Sequence, residues 1–127
     1  MFNYILSRGL ITPCNYNPYI DSTMNNLQLN YDRARKAQAK ANITRLKTWD
    51  AATKAYAEYA AARDYRGNVL VQQSPQAINK AEARYAKACI VCRKAREAFI
   101  KADAAFCLAW DNVDKAYDAC YYSTSRV

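Results

Sequence analysis

The clearest feature of the chain is a repeat of seven residues between Ile78 and Cys120. Alanine occupies every seventh position from 81 to 116, and a larger residue usually stands three positions before each alanine. Such a repeat is typical of a helix that packs along one seam against another helix. We assign heptad position d to the alanines and position a to the larger residues, which are Ile78, Tyr85, Cys92, Phe99, Phe106, Val113 and Cys120.

A second repeat precedes the first one along the chain. Its d positions are Leu27, Ala34, Ala41, Thr48, Ala55 and Ala62, and its a positions are Met24, Tyr31, Gln38, Arg45, Ala52 and Tyr59. An antiparallel pairing places Phe99 opposite Ala41, so that a large side chain meets a methyl group and the helices approach closely. Arg45 and Gln38 interrupt this pattern, and we expect the seam to loosen or hydrate there.

Helix stop and start signals set the predicted boundaries. Arg66-Gly67-Asn68 is a typical helix end, and Ser74 followed by Pro75 is a typical helix start. We predict an all-α fold, a long antiparallel two-helix hairpin with an Ala-rich coiled-coil seam that pairs further into a helical bundle. Its parts are an N-terminal arm (1–21), helices at about 23–65 and 75–121 within a hairpin (22–121), a turn (66–74) and a tail (122–127).

Composition points to a polyanionic partner and away from catalysis. Lysine and arginine number 19 against 11 acidic residues, and the chain has no histidine. Histidine is the commonest general base and metal ligand, and no glycine-rich phosphate loop replaces it. Cys89 and Cys92 form a CxxC pair in mid-helix, which we interpret as small buried hydrophobes, with a redox pair or metal ligand as the alternative. We therefore expect no enzyme activity, no cofactor and no metal.

Two rows of cations flank one side of the predicted seam. In an antiparallel hairpin the g positions of both helices lie on one side of the seam, with the c positions beside them. The g positions are mostly small, and the c positions are mostly basic. We predict that phosphates bind between the rows, in contact with Arg33, Lys40, Lys47, Lys54, Lys80, Lys87, Lys94 and Lys101. Lysine is also the ordinary solvated residue of exposed helix positions, so solubility alone is the alternative explanation.

The e and b positions on the other side of the seam are apolar and aromatic. A lone two-helix hairpin cannot cover so much apolar surface, so we expect the N-terminal arm, a second copy of the chain, or both to pack there. The predicted protein-interface residues are Leu46, Trp49, Tyr56, Ile100, Trp110 and Tyr117.

An N-terminal arm followed by a long basic α-hairpin with a second, apolar face resembles the coat proteins of filamentous archaeal DNA viruses. In that group, helical hairpins, commonly paired, wrap duplex DNA in an A-like form and stack into a helical virion. The resemblance implies a non-enzymatic structural protein that binds nucleic acid, with duplex DNA favoured, and self-assembles or pairs with a paralogous subunit. It would be a viral coat protein or nucleoprotein of the virion or host cytoplasm.

A second functional class stays open. A small phage-type inhibitor or adaptor of the anti-defence class could use the same basic surface to bind a protein or nucleoprotein partner, as a monomer or a small closed oligomer. A third class is a structural hairpin whose charge serves solubility only. The chain has no run of about 18 apolar residues and no recognisable signal peptide. We therefore expect no membrane insertion and no export by the Sec route, although the third class could be exported without a leader, and we expect no small-molecule substrate.

Overall fold

Two long helices make up the structure. This computed structural model describes residues 18–72 and 74–125, with side chains for 23–71 and 74–122. Helix α1 runs over Pro18–Gln72 and helix α2 over Pro75–Ser125. The two helices pack against each other, and the described residues include no β-strand. The predicted all-α antiparallel hairpin is therefore confirmed.

Helix α2 begins where the sequence predicted. The backbone N–H of Ala77 donates a hydrogen bond to Ser74 Oγ at 3.4 Å, and the N–H of Ile78 donates to the Ser74 carbonyl at 2.8 Å. Ser74 is thus the N-cap, and Pro75 occupies the first helical position, where its missing N–H costs nothing. Serine and proline together fix the start of α2.

Helix α1 ends later than predicted. The expected stop at residue 65 and the turn at 66–74 are wrong, because α1 continues through Gly67 to Gln72. Glycine costs a helix only about 1 kcal/mol relative to alanine. Val69 occupies the next d position of the seam and is buried. Burial of Val69 offsets the unfavourable helix propensity of Gly67. Packing between the helices therefore outweighs the local stop signal.

The later turn moves the pairing of the two helices by about one heptad. Only two residues separate the helices, so their adjoining ends lie level with each other. Phe99 was predicted to lie opposite Ala41, but its ring packs against Trp49, with ring centroids 5.1 Å apart. Arg45 similarly reaches Asp103, at 4.0 Å. Because the displacement is close to seven residues, a and d positions still face each other although their individual partners change.

The outer boundaries of both helices also differ from the prediction. Residues 18–21 belong to α1 and not to an arm, and the rest of the predicted arm, residues 1–17, lies outside the described residues. Helix α2 continues to Ser125, four residues beyond its predicted end at 121. No glycine or proline follows Pro75, so no residue with poor helix propensity stops α2 there. Within the predicted tail, residues 126–127 lie outside the described residues.

The buried residues occupy the predicted seam positions. The chain divides into two compact units, residues 42–105 and residues 1–41 with 106–127. Ala62 is fully buried, at 0% exposure, and lies within the first unit. All the buried hydrophobic residues described in that unit are at d positions, namely Ala55, Ala62, Val69, Ala81, Ala88 and Ala102. The buried hydrophobic residues described in the second unit are Met24, Tyr31, Ala109 and Val113, which are also at a or d positions.

Candidate nucleic-acid interface

The lysines of residues 42–105 share one heptad position, and we call this set of residues the basic face. Every lysine in this unit is at a c position and is exposed. The basic face consists of Lys47 and Lys54 on α1 and Lys80, Lys87, Lys94 and Lys101 on α2. Lys54 pairs with Asp50 at 3.0 Å, one turn earlier on the same helix. The other five lysines have no carboxylate within 4.0 Å among the described side chains. Their charges are therefore available to an outside anion.

The remaining predicted contacts, Arg33 and Lys40, belong to the other unit. Both side chains are exposed. They occupy the same heptad position on α1 as Lys47 and Lys54. The cations predicted to bind phosphate are thus exposed on both units, and each unit has its own group of them.

An ion pair crosses the floor of the basic face. A groove of about 510 Å³ lies against Lys87, and both Glu58 and Arg84 line it. The Arg84 guanidinium donates two hydrogen bonds to the Glu58 carboxylate, at 2.9 and 3.0 Å. These bonds lower the pKa of Glu58 and raise the pKa of Arg84. The predicted row of small g positions is therefore interrupted here, and Arg84 neutralises Glu58, the one carboxylate among the described residues that line the groove.

The predicted interface residues are all exposed. Leu46, Trp49, Tyr56 and Ile100, which we call the aromatic face, belong to residues 42–105. Trp49 is 56% exposed although its ring edge packs against Phe99. In the other unit, Trp110 and Tyr117 are exposed as well, and they contact Phe106 and Tyr31 respectively through their rings. Exposed rings that are already fixed by a neighbour lose little entropy when a partner covers them.

Arginines stand beside the aromatic face, in addition to the site residues predicted from the sequence. A groove of about 530 Å³ lies on this side of the seam, and we call it the tyrosine groove. Its lining residues are Ala52, Tyr56, Tyr59, Arg63, Cys89, Cys92, Arg93 and Arg96. It shares no lining residue with the groove beside Lys87. The signal for its arginines was in the sequence, because Arg63 and Arg96 are at e positions and Arg93 is at a b position.

The aromatic rings beside the tyrosine groove form a connected series. The ring of Tyr59 lies 5.9 Å from that of Tyr56 and 5.6 Å from that of Tyr85. The guanidinium of Arg63 lies 5.9 Å from the Tyr59 ring, and that of Arg66 lies 4.1 Å from the Tyr85 ring. Arginine stacks favourably on aromatic faces, so these contacts hold the rings in place.

A hydrogen bond between two phenols lies within this series. The hydroxyl oxygens of Tyr59 and Tyr85 are 3.4 Å apart. Hydrogen bonding with Tyr59, and secondarily with Cys89, raises the pKa of Tyr85 to about 12. Both interactions favour the neutral phenol, since loss of its proton would place a negative charge beside them.

The cysteines of the CxxC pair lie at the same groove. Cys89 and Cys92 are half-buried and are not in a disulfide. Within the described part of the chain, no three His, Cys, Asp or Glu side chains are grouped so that they could hold a metal ion. Both thiols line the wall of the tyrosine groove.

No family model, curated protein or solved structure matches this chain. The described helices also lack a stretch apolar enough over 18 residues to cross a membrane. Arguments about function therefore rest on the two faces and on the grooves beside them.

Proposed function

We propose that the chain is a non-enzymatic structural protein that binds nucleic acid without reading its sequence and assembles with further copies. Coat proteins and other nucleoprotein subunits that package DNA are the class that fits this description. The protein would act in a virion or in the host cytoplasm. Its partners would be duplex DNA and a second copy or a paralogous subunit.

The observation that carries this proposal is the basic face. Its lysines stand on both helices, and five of them have no acidic partner among the described side chains. Repeated lysines are suited to the regularly spaced charges of a phosphate backbone, and they carry no information about base sequence. A single copy with a few such contacts binds weakly, but many copies along one polymer bind tightly.

The aromatic face supports the assembly part of the proposal. Leu46, Trp49 and Ile100, the members of the aromatic face that do not line the tyrosine groove, are each about half exposed. Exposed apolar and aromatic residues on one side of a helical hairpin are typical of surfaces that another protein covers. A further copy of this chain is available wherever the chain itself is present, so self-association is the simplest way to cover them.

The test compares two variants that each remove three positive charges from opposite sides of the hairpin. The three-lysine variant carries Lys80→Gln, Lys87→Gln and Lys94→Gln. The three-arginine variant carries Arg63→Gln, Arg93→Gln and Arg96→Gln. Binding to labelled duplex DNA is measured over a salt series, and particle size is followed by light scattering.

We expect the natural chain to bind duplex DNA with a steep salt dependence and to form large particles only with DNA. Each lost phosphate contact lowers the slope of log affinity against log salt by about 0.9, so the three-lysine variant should lose roughly 3 from that slope. The three-arginine variant should keep most of it. Equal slopes for the natural chain and the three-lysine variant would show that the basic face does not bind the duplex.

The extent of exposed apolar surface also fits a second function. A small inhibitor or adaptor protein could use the aromatic face to bind one protein partner. Such a protein would keep a small, fixed particle size with and without DNA. That outcome in the scattering experiment would favour the inhibitor and exclude the packaging function.

A further inference from the structure

The tyrosine groove concentrates positive charge, and none of its described lining residues is acidic. Three of its lining residues are arginines, and none is a carboxylate. Arg63 pairs with its neighbour Asp64 at 3.3 Å, but Asp64 does not line the groove. Arg93 and Arg96 form no ion pair with any described side chain. A surface with this arrangement attracts an anion that can approach several guanidinium groups together.

An exposed aromatic ring stands in the same groove. Tyr56 is 58% exposed, and its ring is supported by Tyr59 at 5.9 Å. Tyr59 is only partly exposed and is itself in contact with Tyr85 and Arg63. The Tyr56 ring is therefore positioned by an ordered series of side chains while leaving much of its own surface open to a flat ligand.

Tyrosine and arginine side by side define the chemistry of the ligand. A nucleobase stacks on an aromatic ring, and the phosphate beside it accepts hydrogen bonds from guanidinium groups. In a duplex the faces of the bases are stacked on one another and are not available to a side chain. A purely apolar protein segment would bury these arginines without satisfying their charge. The combination therefore favours an unpaired nucleotide.

We propose that the tyrosine groove binds single-stranded nucleic acid, with a base stacked on Tyr56 and the adjoining phosphates on Arg63, Arg93 and Arg96. This is a second binding surface, separate from the basic face, and it does not depend on duplex binding there. A chain with both surfaces would bind paired strands on one side and an unpaired segment on the other.

The experiment measures binding of the full-length chain to a labelled oligodeoxythymidine and, in parallel, to labelled duplex DNA. The Tyr56→Leu variant loses one base–aromatic stack, so it should bind the single strand about tenfold more weakly than the natural chain. Tyr56→Phe should bind like the natural chain, because phenylalanine keeps the ring. Each lost phosphate contact on a single strand lowers the salt slope by about 0.7, so the three-arginine variant should lose roughly 2.

The three-lysine variant is the matched control, since it removes the same charge from the opposite side. It should lose less of the single-strand salt slope than the three-arginine variant does, since lysines also contact the phosphates of a single strand. All the changed side chains are exposed, and circular dichroism checks that each variant remains helical.

Three results would overturn this inference: no single-strand binding by the natural chain, unchanged binding by Tyr56→Leu, or an equal loss in the three-lysine and three-arginine variants. The duplex measurement separates this inference from the proposed function. A chain that binds single strands through Tyr56 but does not bind duplex DNA would refute the proposed function and uphold the groove.

Discussion

The two sides of residues 42–105 differ in their main cations, although Arg84 also lies on the side of the basic face. Every lysine of this unit lies on the basic face, whereas Arg63, Arg93 and Arg96 line the tyrosine groove. Lysine carries a compact, hydrated charge on a flexible stem, and it suits loose contact with many phosphates. Arginine carries a flat group that stacks on rings and donates paired hydrogen bonds. The division of the two residue types is what we expect if the two proposed sites bind different ligands, or different parts of one ligand.

The two sides also differ in how firmly their side chains are held. On the basic face, four of the five lysines that lack an ion pair stand on α2 and extend into solvent. Beside the tyrosine groove, Tyr56, Tyr59 and Tyr85 contact one another in series. Substitutions on the basic face should therefore change binding with little effect on stability, whereas substitutions near the rings should affect both.

Both sides depend on one seam between the helices. Of the substitutions considered, overpacking that seam should lower the free energy of unfolding most. Ala62 is fully buried, so Ala62→Leu inserts a side chain where no space exists. We expect the free energy of unfolding, measured by urea denaturation, to fall by about 1–3 kcal/mol. Ala61→Leu is the control, because Ala61 is exposed and its substitution should change stability by less than about 0.5 kcal/mol. Equal effects at the two positions would mean that the seam does not pass through Ala62.

Sequence patterns predicted the fold because the heptad repeat is global and redundant. A single local stop signal does not override a repeat that extends along both helices, which is why the predicted helix end at Gly67 is wrong. Gly67 is a typical helix stop, yet Val69 continues the seam for another turn. The displaced pairing follows from that single error, since moving the turn by a few residues moves every partner in an antiparallel hairpin.

The candidate site was predicted less completely than the fold. Exposed lysines follow directly from heptad position, because c positions point away from the seam. The tyrosine groove does not follow so simply, because it requires Arg63 of α1 and Arg93 of α2 to line the same concavity. Which residues meet across two helices depends on their relative displacement, and the sequence prediction had that displacement wrong by about one heptad.

A pair of alanine substitutions tests whether the two sides differ in rigidity. Trp49→Ala removes an edge contact with Phe99, so we expect the free energy of unfolding to fall by about 0.5–1.5 kcal/mol. Lys47→Ala, two residues away on the basic face, should change it by less than about 0.5 kcal/mol. Thermal and urea denaturation of both variants measure the difference. A larger loss of stability in Lys47→Ala than in Trp49→Ala would show that the basic face is the more firmly held side.

The contact between Arg66 and Tyr85 provides a smaller test beside the rings. Arg66 lies 4.1 Å from the ring centroid of Tyr85 and 3.6 Å from a carboxylate oxygen of Glu82. Arg66→Gln should lower the free energy of unfolding by about 0.5–1 kcal/mol. Arg93→Gln removes the same charge at a residue with no described ion pair and should have less effect. Equal stability of the two variants would show that stacking does not hold the ring series together.

The smallest expected effect is the pH dependence of Tyr85, because this side chain is partly exposed and solvent screens its interactions. The pKa of Tyr85 is about 12 in the folded chain and 10.0 for an ordinary tyrosine, because Tyr59 and Cys89 favour the neutral phenol. Folding therefore favours the protonated form, and this contribution is fully present below pH 10 and is lost as the pH rises towards 12.

Stability is measured by urea denaturation at pH values across this window. The natural chain should lose more stability than the Tyr85→Phe variant, which has no phenol at position 85 to titrate. Tyr56→Phe, at a hydroxyl with no hydrogen-bond partner among the described side chains, should follow the natural chain. If Tyr85→Phe and the natural chain instead lose equal stability, the hydrogen bond between Tyr59 and Tyr85 does not contribute to folding, and the rings beside the groove are held by stacking alone.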